Sequence, residues 1–245
     1  MKKIFLAILF SGFCSNIDAQ NKSIIVLGSN SKSTSKKSKR KDPSMAVKVG
    51  ALNFIAGNFP VCLEKEFNNF GFLIGGGPTF RRFFDNSFWS SLLEDEDVTY
   101  SWGERQMSAV NNPFAYDTRP KFLYSPGYYL VLNPKYYYNE EGMDGGYFGV
   151  QYVMSQYNYQ TQGYNSTVFS KSGRDRYTDV MVQWGAQYGD NKFIFEWYTG
   201  LGVRFKNELR YAYGIDYNSD FVEGTALIKK SSLHYDLGMR VGFKF

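Results

Sequence analysis

Leu233-His234-Tyr235-Asp236-Leu237-Gly238-Met239-Arg240-Val241-Gly242-Phe243-Lys244-Phe245 is the stretch whose reading decides the fold. Leu233, Tyr235, Leu237, Met239, Val241, Phe243 and Phe245 fall on one face of an extended chain, and His234, Asp236, Gly238, Arg240, Gly242 and Lys244 on the other. A period of two over this length is the signature of a β-strand with two unlike sides. The same pattern sets Phe193, Phe195, Trp197, Thr199, Leu201, Val203 and Phe205 against Ile194, Glu196, Tyr198, Gly200, Gly202 and Arg204. It recurs where Val180, Val182, Trp184 and Ala186 oppose Asp179, Gln183, Gly185 and Gln187.

Outward from these segments the alternation predicts strands over 46–56, 60–67, 70–83, 124–138, 146–160, 176–188, 192–210 and 231–245. Short connections at Asn68-Asn69, 139–145 and Asp190-Asn191 mostly alternate with longer ones at 84–123, 161–175 and 214–230. No apolar run after residue 20 is long enough for a transmembrane helix. The expectation is an all-β, eight-stranded antiparallel up-and-down barrel with short turns at one end and longer loops at the other.

Periodicity alone does not say which face is inside. A soluble barrel is apolar within, and a membrane barrel is inverted. One face of the last two strands is large and apolar, whereas the other mixes Gly with Glu196, Arg204, Asp236, Arg240 and Lys244. Small and charged residues together suit a narrow lumen, and a charge on the lipid face would cost about 2–4 kcal/mol near the midplane. Lys48, Glu64, Glu66, Lys135, Glu196, Arg204, Asp236 and Arg240 are therefore expected inside, as a plug of ion pairs rather than a channel. Lys65 fits the outward face of its strand poorly. Tyr128, Tyr129, Tyr136, Tyr137, Tyr138, Tyr147, Trp184, Trp197, Tyr235 and Phe245 are expected to form interfacial girdles.

The amino-terminal 45 residues read differently. Residues 1–19 have the form of a secretory signal: Lys2 and Lys3, an apolar core from Ile4, and small Ala19 before the cleavage point. Bulky Phe13 before Cys14 argues against lipidation at that cysteine. Cleavage would leave Cys62 without a disulfide partner, as a space-filling residue in the wall. Residues 20–45 form a Lys/Ser-rich tail in which Lys22, Lys32, Lys36, Lys37, Lys39, Arg40 and Lys41 face only Asp42. That composition predicts a disordered basic segment. The net charge of +5 thus belongs to the tail and not to a folded nucleic-acid surface. With one His and two Cys, a Cys/His zinc site is excluded, and no other metal or cofactor is expected.

Four stretches carry a resemblance to a family: the signal ending Ile17-Asp18-Ala19-Gln20, the opening Val47-Lys48-Val49-Gly50-Ala51-Leu52-Asn53, the pair Val61–Phe67 and Phe70–Gly77, and the terminal Gly242-Phe243-Lys244-Phe245. Over 46–245 the chain resembles the small outer-membrane β-barrel proteins of Bacteroidota, the broad OmpA-like and PorT-like group. The resemblance implies outer-membrane localisation, and the even number of expected strands would place both mature termini on the periplasmic side. The resemblance also implies contact with outer-membrane lipid and with the barrel assembly machinery, through a terminal signal of Tyr235, Val241, Phe243 and Phe245. The family pattern has Gly five residues before the last aromatic, where this chain has Arg240.

Chemistry is sparsely encoded. The one histidine, His234, has Asp236 on its predicted face and Ser232 close by, the residue types of a Ser/His/acid relay. A polar lumen residue is the plainer account. Glu94, Asp95, Glu96 and Asp97 lack the alternate spacing of a calcium loop and read as a solvated loop. Gly75-Gly76-Gly77 lacks the Lys-Ser/Thr of a phosphate loop and sits in a strand pattern, where it permits close packing. The 84–123 loop carries Phe88, Trp89, Tyr100, Trp102, Phe114 and Tyr116. That makes it either a contact surface for an outer-membrane protein partner or a cap packed on the barrel mouth. The function expected is non-enzymatic, with a structural or accessory role in the cell envelope. The alternatives are a narrow-pore, porin-like transporter and a lipid-modifying enzyme or protease using His234.

Overall fold

The computed structural model describes residues 45–80, 95–101, 110–115, 123–138, 145–162, 169–190, 192–216 and 221–245, all within the compact unit Arg40–Phe245. The expected signal and basic tail lie outside the described residues, as do Glu94, Phe88, Trp89, Trp102 and Tyr116. In chain order the elements are β1 (Met45–Gly50), α1 (Ala51–Ile55), β2 (Val61–Phe67), β3 (Phe70–Thr79), β4 (Asp95–Ser101) and β5 (Val110–Ala115). They continue with β6 (Leu123–Tyr137), β7 (Gly145–Gln162), β8 (Phe169–Asp190), β9 (Phe193–Asp216) and β10 (Phe221–Lys244).

The described strands form one antiparallel sheet in the order β4-β10-β1-β2-β3-β6-β7-β8-β9-β5, and β9 also pairs with β10. The path β10-β1-β2-β3-β6-β7-β8-β9 therefore returns to β10 and the sheet closes on itself. β4 and β5 lie off this circuit. β4 adds to β10 along Thr225–Ser231, and β5 adds to β9 near Ala212–Asp216. Closure satisfies the edge hydrogen bonds that an open sheet would leave exposed.

Polarity is inverted relative to a water-soluble barrel. Phe193, Phe195, Trp197, Leu201, Val203 and Phe205 are exposed along β9, while Ile194, Glu196 and Tyr198 between them are buried. On β10 Tyr235, Leu237, Val241 and Phe243 are exposed, and His234 and Arg240 are buried. At ~3.3 Å per residue and a tilt of about 40°, the outward apolar stretch from Phe193 to Phe205 rises about 30 Å, the thickness of a bilayer's hydrocarbon core. Above it β7 to β10 run on as a polar extension carrying β4 and β5. The wall is uneven, because β1 and β2 are far shorter than β7–β10.

Several sequence expectations are corrected. The first strand ends at Gly50, not at 56. Ala51–Ile55 is a helical turn closed by Ala56, Gly57 and Asn58 N–H groups on the Leu52, Phe54 and Asn53 carbonyls, with Gly57 at φ 82°. The loops expected at 161–175 and 214–230 are largely strand, because β8 starts at Phe169, β9 runs to Asp216 and β10 starts at Phe221. There polar residues such as Lys171, Arg174, Glu223, Lys229 and Lys230 interrupt the apolar positions, so the period-two hydrophobic signal fades while the ladder continues. The 84–123 loop contains β4 and β5. The acidic run, read as a solvated loop, has Asp95, Glu96 and Asp97 in β4, opposite Ser231, Lys230 and Lys229. Opposite charges across that ladder favour the pairing. Tyr100 packs from β4 onto a cluster of Ala212, Val222, Ala226 and Ile228.

Candidate functional site in the lumen

The inward positions build three layers. At the end carrying the short turns, Glu64 of β2 and Glu196 of β9 sit fully buried among Lys48, Lys135 and Arg240. Lys48 Nζ donates to Glu64 Oε2 (2.7 Å), Glu196 Oε2 (2.6 Å) and Gln187 Oε1 (2.6 Å), so all three ammonium protons are used. Lys135 Nζ donates to Glu64 Oε2 (2.7 Å) and Glu196 Oε1 (2.9 Å). Arg240 forks between Glu196 Oε1 (2.7 Å) and Gln151 Oε1 (2.8 Å) and lies over the Tyr198 ring at 4.1 Å. The hydroxyls of Tyr137 and Tyr147 donate to Glu64 and Glu196. Thus β1, β2, β6, β7, β8, β9 and β10 each send a side chain into one network. A buried charge is tolerable only when it is paired and hydrogen-bonded, and here each one is.

Tyr137, Tyr147 and Tyr129 were expected in the girdles. The structure corrects this and buries all three inside, whereas Tyr136, Tyr138, Trp184, Trp197, Tyr235 and Phe245 face outward. The parity of β6 carries the missed signal: Tyr129 and Tyr137 share phase with Lys135. Inward glycines make room for the rings. A Cβ on Gly238 would lie 1.9 Å from Tyr198 Cζ, and one on Gly185 would lie 2.6 Å from the Tyr147 hydroxyl oxygen. Glu66 is buried further toward the turn end. Lys65 points outward with Nζ 5.0 Å from the Phe67 ring centre. Its stem follows the apolar surface while its head reaches toward the rim.

Above the ions lies an apolar layer of Cys62, Leu73, Tyr129, Val131, Val153 and Met181. Cys62 is a free, buried thiol against the glycine run, where a Cβ on Gly75 would sit 2.4 Å from its Sγ. Next comes a cavity of 320 Å³ whose polar side holds Asp179, Arg204, His234 and Asp236. Arg204 forms a bidentate pair with Asp179, Nε to Oδ1 at 2.7 Å and Nη2 to Oδ2 at 2.8 Å. Its Nη2 also lies 2.9 Å from His234 Nε2. A guanidinium only donates, so in this contact Nε2 is the side of the ring placed to accept; the same nitrogen lies 3.8 Å from Asp179 Oδ2.

That geometry bears on the residues singled out for a relay. His234 and Asp236 line the cavity and Ser232 does not. The ring nitrogen that would take a serine proton is occupied by Arg204. Asp179, which sequence reading did not single out, is the carboxylate that orients the guanidinium. Among the described residues no group of three or more His, Cys, Asp or Glu side chains is placed to hold a metal ion. Of the terminal-signal residues, Tyr235, Val241, Phe243 and Phe245 are all exposed on the outer face.

No protein-family model and no curated protein matches the sequence. Among solved structures, a major outer membrane protein from Thermus thermophilus aligns at 15% identity and TM-score 0.38, covering 84% of this chain and all of that one. The outer membrane protease OmpT from Escherichia coli aligns at 10% identity and TM-score 0.33, over 83% of this chain and 93% of that one. Likeness at this level transfers neither strand count nor activity.

Proposed function

We propose that the chain is an eight-stranded outer-membrane β-barrel of the OmpA-like and PorT-like kind, non-enzymatic, with a structural or accessory role in the cell envelope. In this reading both mature termini are periplasmic, β4 and β5 belong to a surface extension that meets a partner, and Tyr235–Phe245 is the segment read by the assembly machinery. The observation that carries it is the joint polarity of the ring, with an apolar belt outside and a fully paired ion network inside. The network argues against a conducting pore, because opening one would strip Lys48, Lys135 and Arg240 from Glu64 and Glu196.

Membrane fractionation followed by electrophoresis with and without boiling tests the location. An outer-membrane band whose mobility shifts on boiling is expected, and a soluble, unshifted band would overturn it. Planar-bilayer recording tests the closed lumen. No stepwise conductance is expected, and ohmic steps from the purified chain would favour the narrow-pore reading.

A further inference from the structure

The outer wall changes character along one line. Outward positions on β8 run Trp184, Val182 and Val180, then Thr178, Arg176 and Arg174. On β9 they run Leu201, Val203 and Phe205, then Asn207, and on β7 Val150, Tyr152 and Met154, then Gln156. The ladders join these ends, because Gln156 is the register partner of Arg176 and Arg176 that of Asn207. The apolar belt therefore stops at a polar row, with one guanidinium on the row and another just above it.

Arg174 and Arg176 lie two residues apart on one strand, so their side chains leave the same face as neighbours. Arg176 is held by an uncharged partner: the Tyr128 hydroxyl oxygen lies 2.7 Å from its Nη2 and 3.3 Å from its Nε. Tyr128 is the register partner of Gln156, so the guanidinium reaches over the strand between them. A guanidinium carries five N–H donors, and Nη1 is left without a partner among the described residues. Arg174 is exposed and makes no side-chain hydrogen bond or ion pair among the described residues. Asp175 shares the phase of buried Tyr177 and Asp179, so it belongs to the inner face, opposite Glu208. Within the lumen, by contrast, Arg204 meets Asp179 and Arg240 meets Glu196. Lys229, the register partner of Asn207 on β10, stands opposite Asp97.

Two neighbouring guanidiniums with no carboxylate between them leave two positive charges to be matched from outside. The fork of a guanidinium fits two phosphate oxygens, and a phosphomonoester carries nearly two negative charges at neutral pH. Below the arginines the wall continues as exposed Val180, Val203 and Phe205, joined in register through Thr178 and Phe205 and through Val180 and Val203. A head group set on the arginines thus has apolar surface directly beneath it for its chains, which a soluble phosphate would not use. We propose that Arg174 and Arg176 bind the phosphomonoester head of a membrane lipid whose acyl chains lie along Val180, Val203 and Phe205.

The inference rests on the membrane-barrel reading, and the test separates the two. The full chain is reconstituted in phosphatidylcholine bilayers with spin-labelled lipid, and electron paramagnetic resonance reads the motionally restricted fraction. Restriction of spin-labelled phosphatidylcholine reports insertion whatever the head-group preference. Spin-labelled phosphatidic acid is expected to show, in addition, one saturable site per chain for which phosphatidylglycerol competes poorly. Arg174→Gln combined with Arg176→Gln should weaken that site tenfold or more, whereas Lys229→Gln should leave it unchanged. An inserted chain that treats phosphatidic acid and phosphatidylcholine alike overturns the inference alone. So does an equal loss in Lys229→Gln, which would mean diffuse attraction to a basic rim. Equal competition by phosphatidylglycerol overturns the choice of a phosphomonoester. Displacement by glycerol 3-phosphate would make this a site for soluble phosphates and overturn the lipid. A chain that restricts neither lipid removes the membrane reading first.

Discussion

The turn end of the lumen and the polar extension above the belt hold the same kinds of ion pair in opposite settings. At the turn end Lys48, Glu64, Lys135 and Glu196 have no exposed side-chain surface, and several strands meet on two carboxylates. In the extension, Lys171 of β8 pairs with Glu223 of β10 while 33% and 41% of their side-chain surfaces are exposed. Water screens the second pair and makes it nearly free to break; the first has no solvent to fall back on. The lower network therefore fixes the barrel's register, since any one-residue slip would turn Lys48 or Glu196 onto the apolar outer face. The upper pair only decorates strands that the ladder already holds.

The largest effect expected from this contrast comes from Glu196→Ala. It leaves Lys48, Lys135 and Arg240 short of an acceptor in the dry lumen, so a loss of about 3–5 kcal/mol follows. It is read from the urea midpoint of the chain in micelles, scored by the heat-shifted gel band. Replacing Lys48 by Met and Glu64 by Leu together should cost less than Glu196→Ala, because no lone charge remains. Equal losses would mean that the network packs the lumen rather than balancing its charge.

The outward face gives the next effect. Leu201→Arg places a charge in the belt and should cost about 2–4 kcal/mol. Thr225→Arg, exposed on the extension of the neighbouring strand, should stay within ~0.5 kcal/mol. Matched midpoints for the two would dissolve the boundary drawn between belt and extension. Gly238→Val tests packing instead of charge. Its branched side chain meets the Tyr198 ring, so a loss of about 1–3 kcal/mol is expected in the same assay. Gly238→Val with Tyr198→Ala should recover part of it.

How much of this was legible in sequence follows the same division. Within the belt one face of the wall is exposed and apolar and the other meets a charged lumen, so residue type alternates strictly. Arg240 and Leu237 were placed on opposite faces by period two alone. The tyrosines of the ion network were misread because Tyr-rich runs such as Tyr136-Tyr137-Tyr138 suggest a girdle by composition, while only their parity separates inside from outside. Above the belt the outward side is no longer uniformly apolar, the alternation loses its contrast although an inner cluster of Ala212, Val222, Ala226 and Ile228 stays buried, and β4, β5 and the upper parts of β8 and β10 were read as loops. α1 was hidden for another reason. Five residues of mixed polarity give no periodic signal. Asp179 and Arg204 come together because Asp179↔Arg204 is a register pair between β8 and β9, which no single strand encodes.

The smallest effect concerns the extension itself. The Glu223 carboxyl is held below the ordinary carboxylate range, first by the Lys171 hydrogen bond and then by the Tyr211 hydroxyl, which donates at 2.7 Å. A carboxyl whose folded value is depressed adds stability that is present above its unfolded value. That stability is lost as pH falls through the folded one. Lys171→Ala should therefore raise the Glu223 titration midpoint in carbon-detected NMR toward that of a free glutamate. The cost to stability at neutral pH should be only about 0.2–1 kcal/mol, shrinking further in salt. The same deletion made below, Lys48→Ala, should produce a loss that salt does not relieve, because counter-ions cannot enter the closed lumen. A salt-sensitive Lys48 variant would mean that water reaches Glu64 and Glu196. The turn end would then belong with the extension rather than opposite to it.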